Sequence, residues 1–324
     1  MTPKEQIKAF YDHKITKGVP NMKGLYIIPD PNGVGERPPF AQDGKDWFGV
    51  EWKREDNINA IAVDHTKPPV LEDIYDWREV VKWPDLDAFD WSKAQEWDHL
   101  DQVDRENQML EVFCVNGPFE RLHMLMGFEN ALCSLITDPE EVTEFLDAFM
   151  EYKLKLLEKM KEVYNPDIIM FHDDWGTQKA PFMSPETWRE LIKPQIQKAI
   201  DKCHELGMYY EHHSCGNIEL FVPDFVEMGM DAWQGQEIND IPRLKKETDG
   251  KLAFHAMPDY QEYFASAMAG KLSKEELHEK VLEKFKEQAE GGHYLPLMIP
   301  FGDWVTNYIF EELMELSEAY SKDL

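Results

Sequence analysis

From about residue 110 onward the sequence repeats one unit: a short, nearly continuous apolar run, a turn, then an amphipathic helix. Six such runs can be marked, at 110–116, 166–172, 209–216, 230–236, 252–257 and 294–299, and residues 24–28 offer a seventh. Strands apolar on both faces and separated by helices belong to a parallel sheet, because crossover helices bury both of its sides. No Gly-x-Gly-x-x-Gly follows any of these runs, so a dinucleotide-binding sheet has no support. The expected fold is α/β, a (β/α)8 TIM barrel with an N-terminal extension. The pattern does not assign the eighth strand.

The intervening helices carry their own boundaries. Asp138 reads as an N-cap, with Pro139 at the first helical position and Glu140 and Glu141 at the positive helix start. A second long helix begins near Ser184-Pro185 and stops before Gly207. Residues 218–228, 274–290 and 305–321 read as three more, and 119–136 as one or two short ones. Before residue 105 the rhythm is lost. Residues 29–55 are rich in Gly, Pro and aromatics, and 83–104 read as an acidic loop leading into a helix. Long irregular segments of this kind commonly act as covers. The expected organisation is therefore one barrel domain over 1–324, with 1–105 as extension and lid.

Charge narrows the partners. The chain has 63 acidic and 34 basic residues and a net charge of −29. Nucleic acid and anionic membrane surfaces both demand basic residues, so neither is an expected partner. Four cysteines without a Cys-x-x-Cys pair are no disulfide framework and fit a reducing, cytoplasmic setting. No apolar run approaches the roughly 20 residues of a membrane span, and the polar opening from Met1 to Phe10 reads as a helix without a signal-peptide pattern.

In a (β/α)8 barrel the chemistry gathers at the C-terminal ends of the strands. Those positions here hold Asn116, His172-Asp173-Asp174, His213 with Cys215, Gln234 with Gln236, and His255. In Tyr209-Tyr210-Glu211-His212-His213-Ser214-Cys215-Gly216, strand alternation puts Glu211, His213 and Cys215 on one face. A carboxylate, an imidazole and a thiol suit a zinc ion with an open position. His212 should face the helix layer. Asp173, Asp174 and His172 are candidates for a general acid or a substrate anchor, since paired carboxylates push each other's pKa values apart. Asn116, Gln236 and His255 are candidate substrate contacts. Trp175, with Trp47, Phe48 and Trp52, is a candidate aromatic wall over a ring-shaped substrate. Cys114 and Cys133 are assigned to the core, and Cys203-His204 to a structural helix.

These residues carry a family resemblance. Asp173-Asp174-Trp175-Gly176-Thr177-Gln178 and His213-Ser214-Cys215-Gly216-Asn217 resemble the uroporphyrinogen decarboxylase superfamily, nearest its methyltransferase branch. Gly117-Pro118-Phe119-Glu120 and Gly229-Met230-Asp231-Ala232 support it over roughly 105–300. The resemblance implies a zinc held by a His-x-Cys pair and a third ligand. It also implies methyl transfer between a small methylated substrate and the cobalt of a separate corrinoid (cobalamin) protein. Thiol-methylating members carry a further Cys near the last strands, whereas residues 291–299 have none. Glu211 is then the first candidate for the third ligand, followed by Asp174 and His255. The expected activity is O-demethylation of a methyl ether, on an aromatic ring. Methylcobamide:thiol methyl transfer, decarboxylation and a non-catalytic corrinoid-binding role are the alternatives, and a homodimer is compatible with each.

Overall fold

The structure is a computed structural model that describes residues 1–324 apart from 30, 32–33, 39–41, 56–59, 258–259, 301 and 323. Its strands are β1 (Leu25–Ile28), β2 (Gly44–Lys45), β3 (Glu51–Glu55), β4 (Ala60–Val63), β5 (Met109–Cys114), β6 (Ile168–His172), β7 (Tyr209–Ser214), β8 (Ala232–Gly235), β9 (Ala253–Ala256) and β10 (Tyr294–Pro296). Seven of them form one parallel sheet in the order β1-β5-β6-β7-β8-β9-β10. Strands lie about 4.8 Å apart, so in a flat sheet β5 and β9, four places apart, would be about 19 Å apart. Instead, side chains of Glu111 on β5 and His255 on β9 bring ligand atoms within 4.8 Å of each other. The sheet is therefore curled, with an interior, in the manner of a TIM barrel.

Six of the seven strands coincide with the apolar runs after residue 110, and β1 with the seventh. Among the described residues no eighth strand joins β1 to β10. An apolar crevice of about 470 Å³ runs along that seam, lined in part by Leu25, Ile27, Leu295, Met298, Phe310 and Met314.

The N-terminal extension does three separate jobs. Its first helix, Pro3–Tyr11, starts at a Thr2/Glu5 capping box with Pro3 at the first position. The helix packs Ile7, Phe10 and Tyr11 against Met109, Ile168, Ala232, Ala253 and Leu295, which lie at or near the starts of five strands. It closes the N-terminal end of the barrel. β1 is a strand of the barrel sheet itself. The antiparallel sheet β2-β3-β4 and the turn before it lie at the other end, where they are fastened down. Asp46 accepts from the amides of Phe48 and Val50 and from the Trp52 indole, and pairs with Arg121 at 2.6 Å, both side chains fully buried. Lys153, on the long helix Pro139–Tyr164, reaches Glu36 and the Val115 carbonyl. Phe48 packs on Phe149 and Tyr152. Phe48 and Trp52 are thus buried in the join between extension and barrel.

Two local expectations are corrected. Cys133 is exposed, on the solvent side of its helix. Asp138 does take the N-cap position ahead of Pro139, but its side chain makes no cap bond; its carboxylate instead accepts from the Tyr75 hydroxyl at 3.0 Å. The helix expected from residue 184 to 206 is continuous but loosens to π geometry over Trp188–Ile192.

Candidate metal centre

β6 ends on His172 and β7 on Ser214, neighbouring strands in register with His172 opposite His213. Their C-terminal ends therefore deliver His172, Asp174, His213 and Cys215 to one place. Ligand atoms of His172, Asp174 and His213 lie within 4.8 Å of one another. His213 Nε2 is 3.7 Å from Asp174 Oδ1 and 3.3 Å from Cys215 Sγ. His172 Nε2 is 4.0 Å from the same Asp174 oxygen, and the two imidazoles stack at 4.6 Å.

Backbone geometry holds this cluster. Gly216 has φ of +91°, and a Cβ there would fall 2.2 Å from the carbonyl carbon of Gly176. Only glycine meets both demands, and the contact presses the loop after β7 onto the loop after β6. The two loops are then tied by hydrogen bonds. The Cys215 amide donates to Asp174 Oδ1 at 2.6 Å, the Trp175 amide to Ser214 Oγ at 2.9 Å, and the Asn217 amide to the Thr177 carbonyl at 2.7 Å. Gln236, beyond the end of β8, accepts from the Gly216 amide and donates to Cys215 Sγ at 3.3 Å.

Side chains behind the cluster set the tautomers. Gln234 donates its amide nitrogen to Glu211 Oε1 at 3.0 Å, so its carbonyl oxygen faces His213 Nδ1 at 2.7 Å. An amide oxygen only accepts; Nδ1 therefore carries the proton, and the Nε2 lone pair points at Cys215 and Asp174. His172 is held the same way, with Nδ1 2.9 Å from Glu120 Oε2. Arg37 completes the ring, 3.5 Å from Glu120 Oε1 and donating Nε to Asn116 Oδ1 at 2.7 Å.

The electrostatics follow from burial and these partners. Burial, then the neighbouring His172, lower the His213 pKa to about 4, keeping it neutral. Burial works against a charged His172 as well, but the Glu120 and Asp174 carboxylates outweigh it and raise its pKa. Burial likewise opposes ionisation of Glu120, yet His172 and Arg37 bring it down to about 2. Burial and then Asp174 push the Cys215 thiol well up, so without a cation the sulfur keeps its proton.

The expected residues thus divide. His172, Asp174, His213 and Cys215 converge, and Asn116 and Gln236 border them. Glu211 does share the interior face with His213, but it lies behind Gln234, bonded to His255 at 3.0 Å and to the Tyr11 hydroxyl at 2.7 Å. His255 belongs to that deeper group. Asp173 accepts from the Phe119 and Glu120 amides and from the Trp175 indole, which seats the helix Pro118–Met126. Burial and the Glu120 charge raise its pKa, against those three donors. Trp175 is fully buried, stacked on His212 at 4.1 Å and against Trp188 and Phe225. Its place is the layer between strands and helices, where His212 was expected. Sequence reasoning missed Arg37 and gave Glu120 no role. Glu120 lay in the quoted Gly-Pro-Phe-Glu phrase, whereas no spacing connects Arg37 to a barrel strand.

A curled parallel sheet with titratable groups gathered at the C-terminal strand ends is the layout in which TIM barrels place their sites. The chain belongs to the uroporphyrinogen decarboxylase (URO-D) family, which it matches over residues 63–289. That superfamily includes decarboxylases and methyltransferases. No curated protein matches the sequence. Among solved structures, an intracellular xylanase of Thermoanaerobacterium saccharolyticum, in complex with xylotriose, is similar at 13% identity and a TM-score of 0.39. The alignment covers 68% of this chain and 75% of that one.

Proposed function

We propose that this chain transfers a methyl group from a methyl ether, on an aromatic ring, to the cobalt(I) of a corrinoid protein. The observation that carries the reading is the convergence of His213, Cys215, Asp174 and His172 at the ends of β6 and β7. The branch this chain resembles uses zinc, and the donors fit. An imidazole, a thiol and a carboxylate form a borderline-soft set of the kind zinc takes. The Nε2 lone pair of His213 is already directed at the sulfur. His213, Cys215 and Asp174 would hold the ion, which when bound supplies a Lewis acid for the ether oxygen.

The chain's own residues supply the rest. Demethylation breaks the methyl C–O bond, leaves its electron pair on oxygen, and forms a Co–C bond with the cobalt(I) pair. The departing alkoxide or phenolate needs a proton. His172 is placed to provide it, because Glu120 holds Nδ1 at 2.9 Å and leaves Nε2 to face the site as the donor. Asn116 and Arg37 position the loop at the barrel mouth beside Glu120.

Elemental analysis of wild type beside Cys215→Ala tests the reading, together with methylcobalamin formation from cobalt(I) cobalamin and methoxyarenes. The expected result is that Cys215→Ala loses one equivalent of zinc and the transfer with it. Retention of both in the variant would sink the proposal. Methylation of thiols by methylcobalamin, with methoxyarenes inert, would reverse the direction of transfer. A protein with no ion at Cys215 would return decarboxylation to the front.

A further inference from the structure

Behind the centre just described lies a second group of ligand atoms, independent of it. Glu111 on β5, Glu211 on β7 and His255 on β9 project into the barrel interior, and their ligand atoms lie within 4.8 Å of one another. All three are buried, the two carboxylates completely. Glu211 is well supplied: it accepts from Tyr11, Gln234 and His255. Glu111 is not. Among the described residues neither of its oxygens has a hydrogen-bond partner, although a carboxylate oxygen lies within 4.8 Å of the ligand atoms of the other two groups.

This is out of keeping with the rest of the molecule. Other fully buried carboxylates here are matched either to a cation, as Glu36 is to Lys153 and Asp46 to Arg121, or to several N–H donors, as Asp173 is to the Phe119 and Glu120 amides and the Trp175 indole. Among the described residues no lysine or arginine is paired with Glu111 or Glu211. A buried carboxylate without a counter-charge is strongly unfavourable. Two beside each other need a bound cation or a proton on one of them, and a proton on Glu111 would still leave that carboxyl without a hydrogen-bond partner among the described residues.

We propose that Glu111, Glu211 and His255 form a second cation site, which takes a divalent transition metal inside the barrel below the His213/Cys215 centre. Two carboxylates and an imidazole suit manganese, iron(II) or zinc. The Tyr11 and Gln234 hydrogen bonds orient Glu211, as outer partners do around metal-bound carboxylates. Glu111, with both oxygens free, is the ligand whose partner is the ion. His255 also borders the apolar crevice along the β1/β10 seam. The site would link the helix Pro3–Tyr11, through Tyr11, to the tautomer of His213, through Gln234.

Metal content separates this site from the first. Cys215→Ala should retain about one equivalent of metal per chain, and adding Glu111→Gln in that background should remove it. Titration of metal-stripped Cys215→Ala with Mn2+, followed by its EPR signal, should show one bound ion, absent in the double variant. Thermal melting covers the case of misfolding. Chelation should lower the Tm of Cys215→Ala and leave that of Cys215→Ala/Glu111→Gln unchanged. Two outcomes would overturn the proposal: a Cys215→Ala protein that binds no Mn2+, or Glu111→Gln with undiminished metal. Glu111 would then carry a proton, and Glu111→Gln would be at least as stable as its parent. Neither outcome bears on methyl transfer, which stands or falls with Cys215.

Discussion

At the scale of single residues, the centre at β6 and β7 is arranged around a neutral His213 beside a charged-form-favouring His172. Its folded pKa of about 4 lies below the ordinary value of 6.5. Between those values the unfolded chain binds the proton more readily, so stability rises with pH there. The contribution of neutral His213 is complete above about pH 6.5 and is lost as pH falls towards 4. At about 1.4 kcal/mol per unit it amounts to about 3 kcal/mol. Glu120, held at about 2 against 4.5, adds a second loss at lower pH: its contribution is present above 4.5 and disappears towards 2. His172 has the opposite sign, its contribution being present below 6.5 and lost as pH rises through its raised pKa. Urea unfolding of metal-stripped protein should therefore lose stability between pH 6.5 and 4, and His213→Gln should flatten that stretch of the curve. An unchanged slope in the variant would show that His213 is not the group being protonated.

At the scale of elements, the loop carrying Glu36 and Arg37 is held by one ion pair to the helix Pro139–Tyr164. Glu36 and Lys153 have no exposed side-chain surface, so removing one partner strands a buried charge. Lys153→Met should cost about 3–5 kcal/mol, and Glu36→Gln added to it should recover most of that. Urea denaturation of the two singles and the double closes the cycle; simple additivity would mean that the pair does not act as a unit. The same loop shows where sequence reading reaches its limit. β5 to β10 were readable because double-sided burial leaves continuous apolar runs, and the strand-end polar groups followed from the barrel rule. Arg37 and Glu36 sit in an irregular segment whose contacts, Asn116, Glu120 and Lys153, lie some 80 to 120 residues away. No local period encodes such a pairing. Glu211 went to a different layer for a related reason. Alternation fixes the face of a strand residue, but depth along the barrel depends on its neighbours, and Gln234 on β8 fills the space between Glu211 and His213. Trp175 was misplaced because the chain turns out of the barrel after Asp174 and carries the indole into the helix layer.

At the scale of the whole molecule, the excess of 63 acidic over 34 basic residues leaves many carboxylates that cannot be paired. The exposed pairs that do form, such as Lys23–Glu318 and Lys198–Asp147, contribute little individually, because water and salt screen them. Salt acts on both populations in opposite directions: it weakens these attractions and screens the repulsion among the remaining acids. The buried pairs Arg121–Asp46 and Lys153–Glu36 are shielded from it. With a net charge of −29, repulsion is the larger of the two exposed terms, and such self-repulsion opposes the compact state. Raising NaCl from low ionic strength to about 0.15 M, where the Debye length is about 8 Å, should therefore raise the Tm. About 1 kcal/mol of relieved repulsion corresponds to about 2 °C or slightly less in a chain of this size. Calorimetry of metal-stripped protein at neutral pH over that range separates the two terms. A Tm that falls with salt would mean that surface ion pairs, despite their small individual worth, act as a network that outweighs the repulsion.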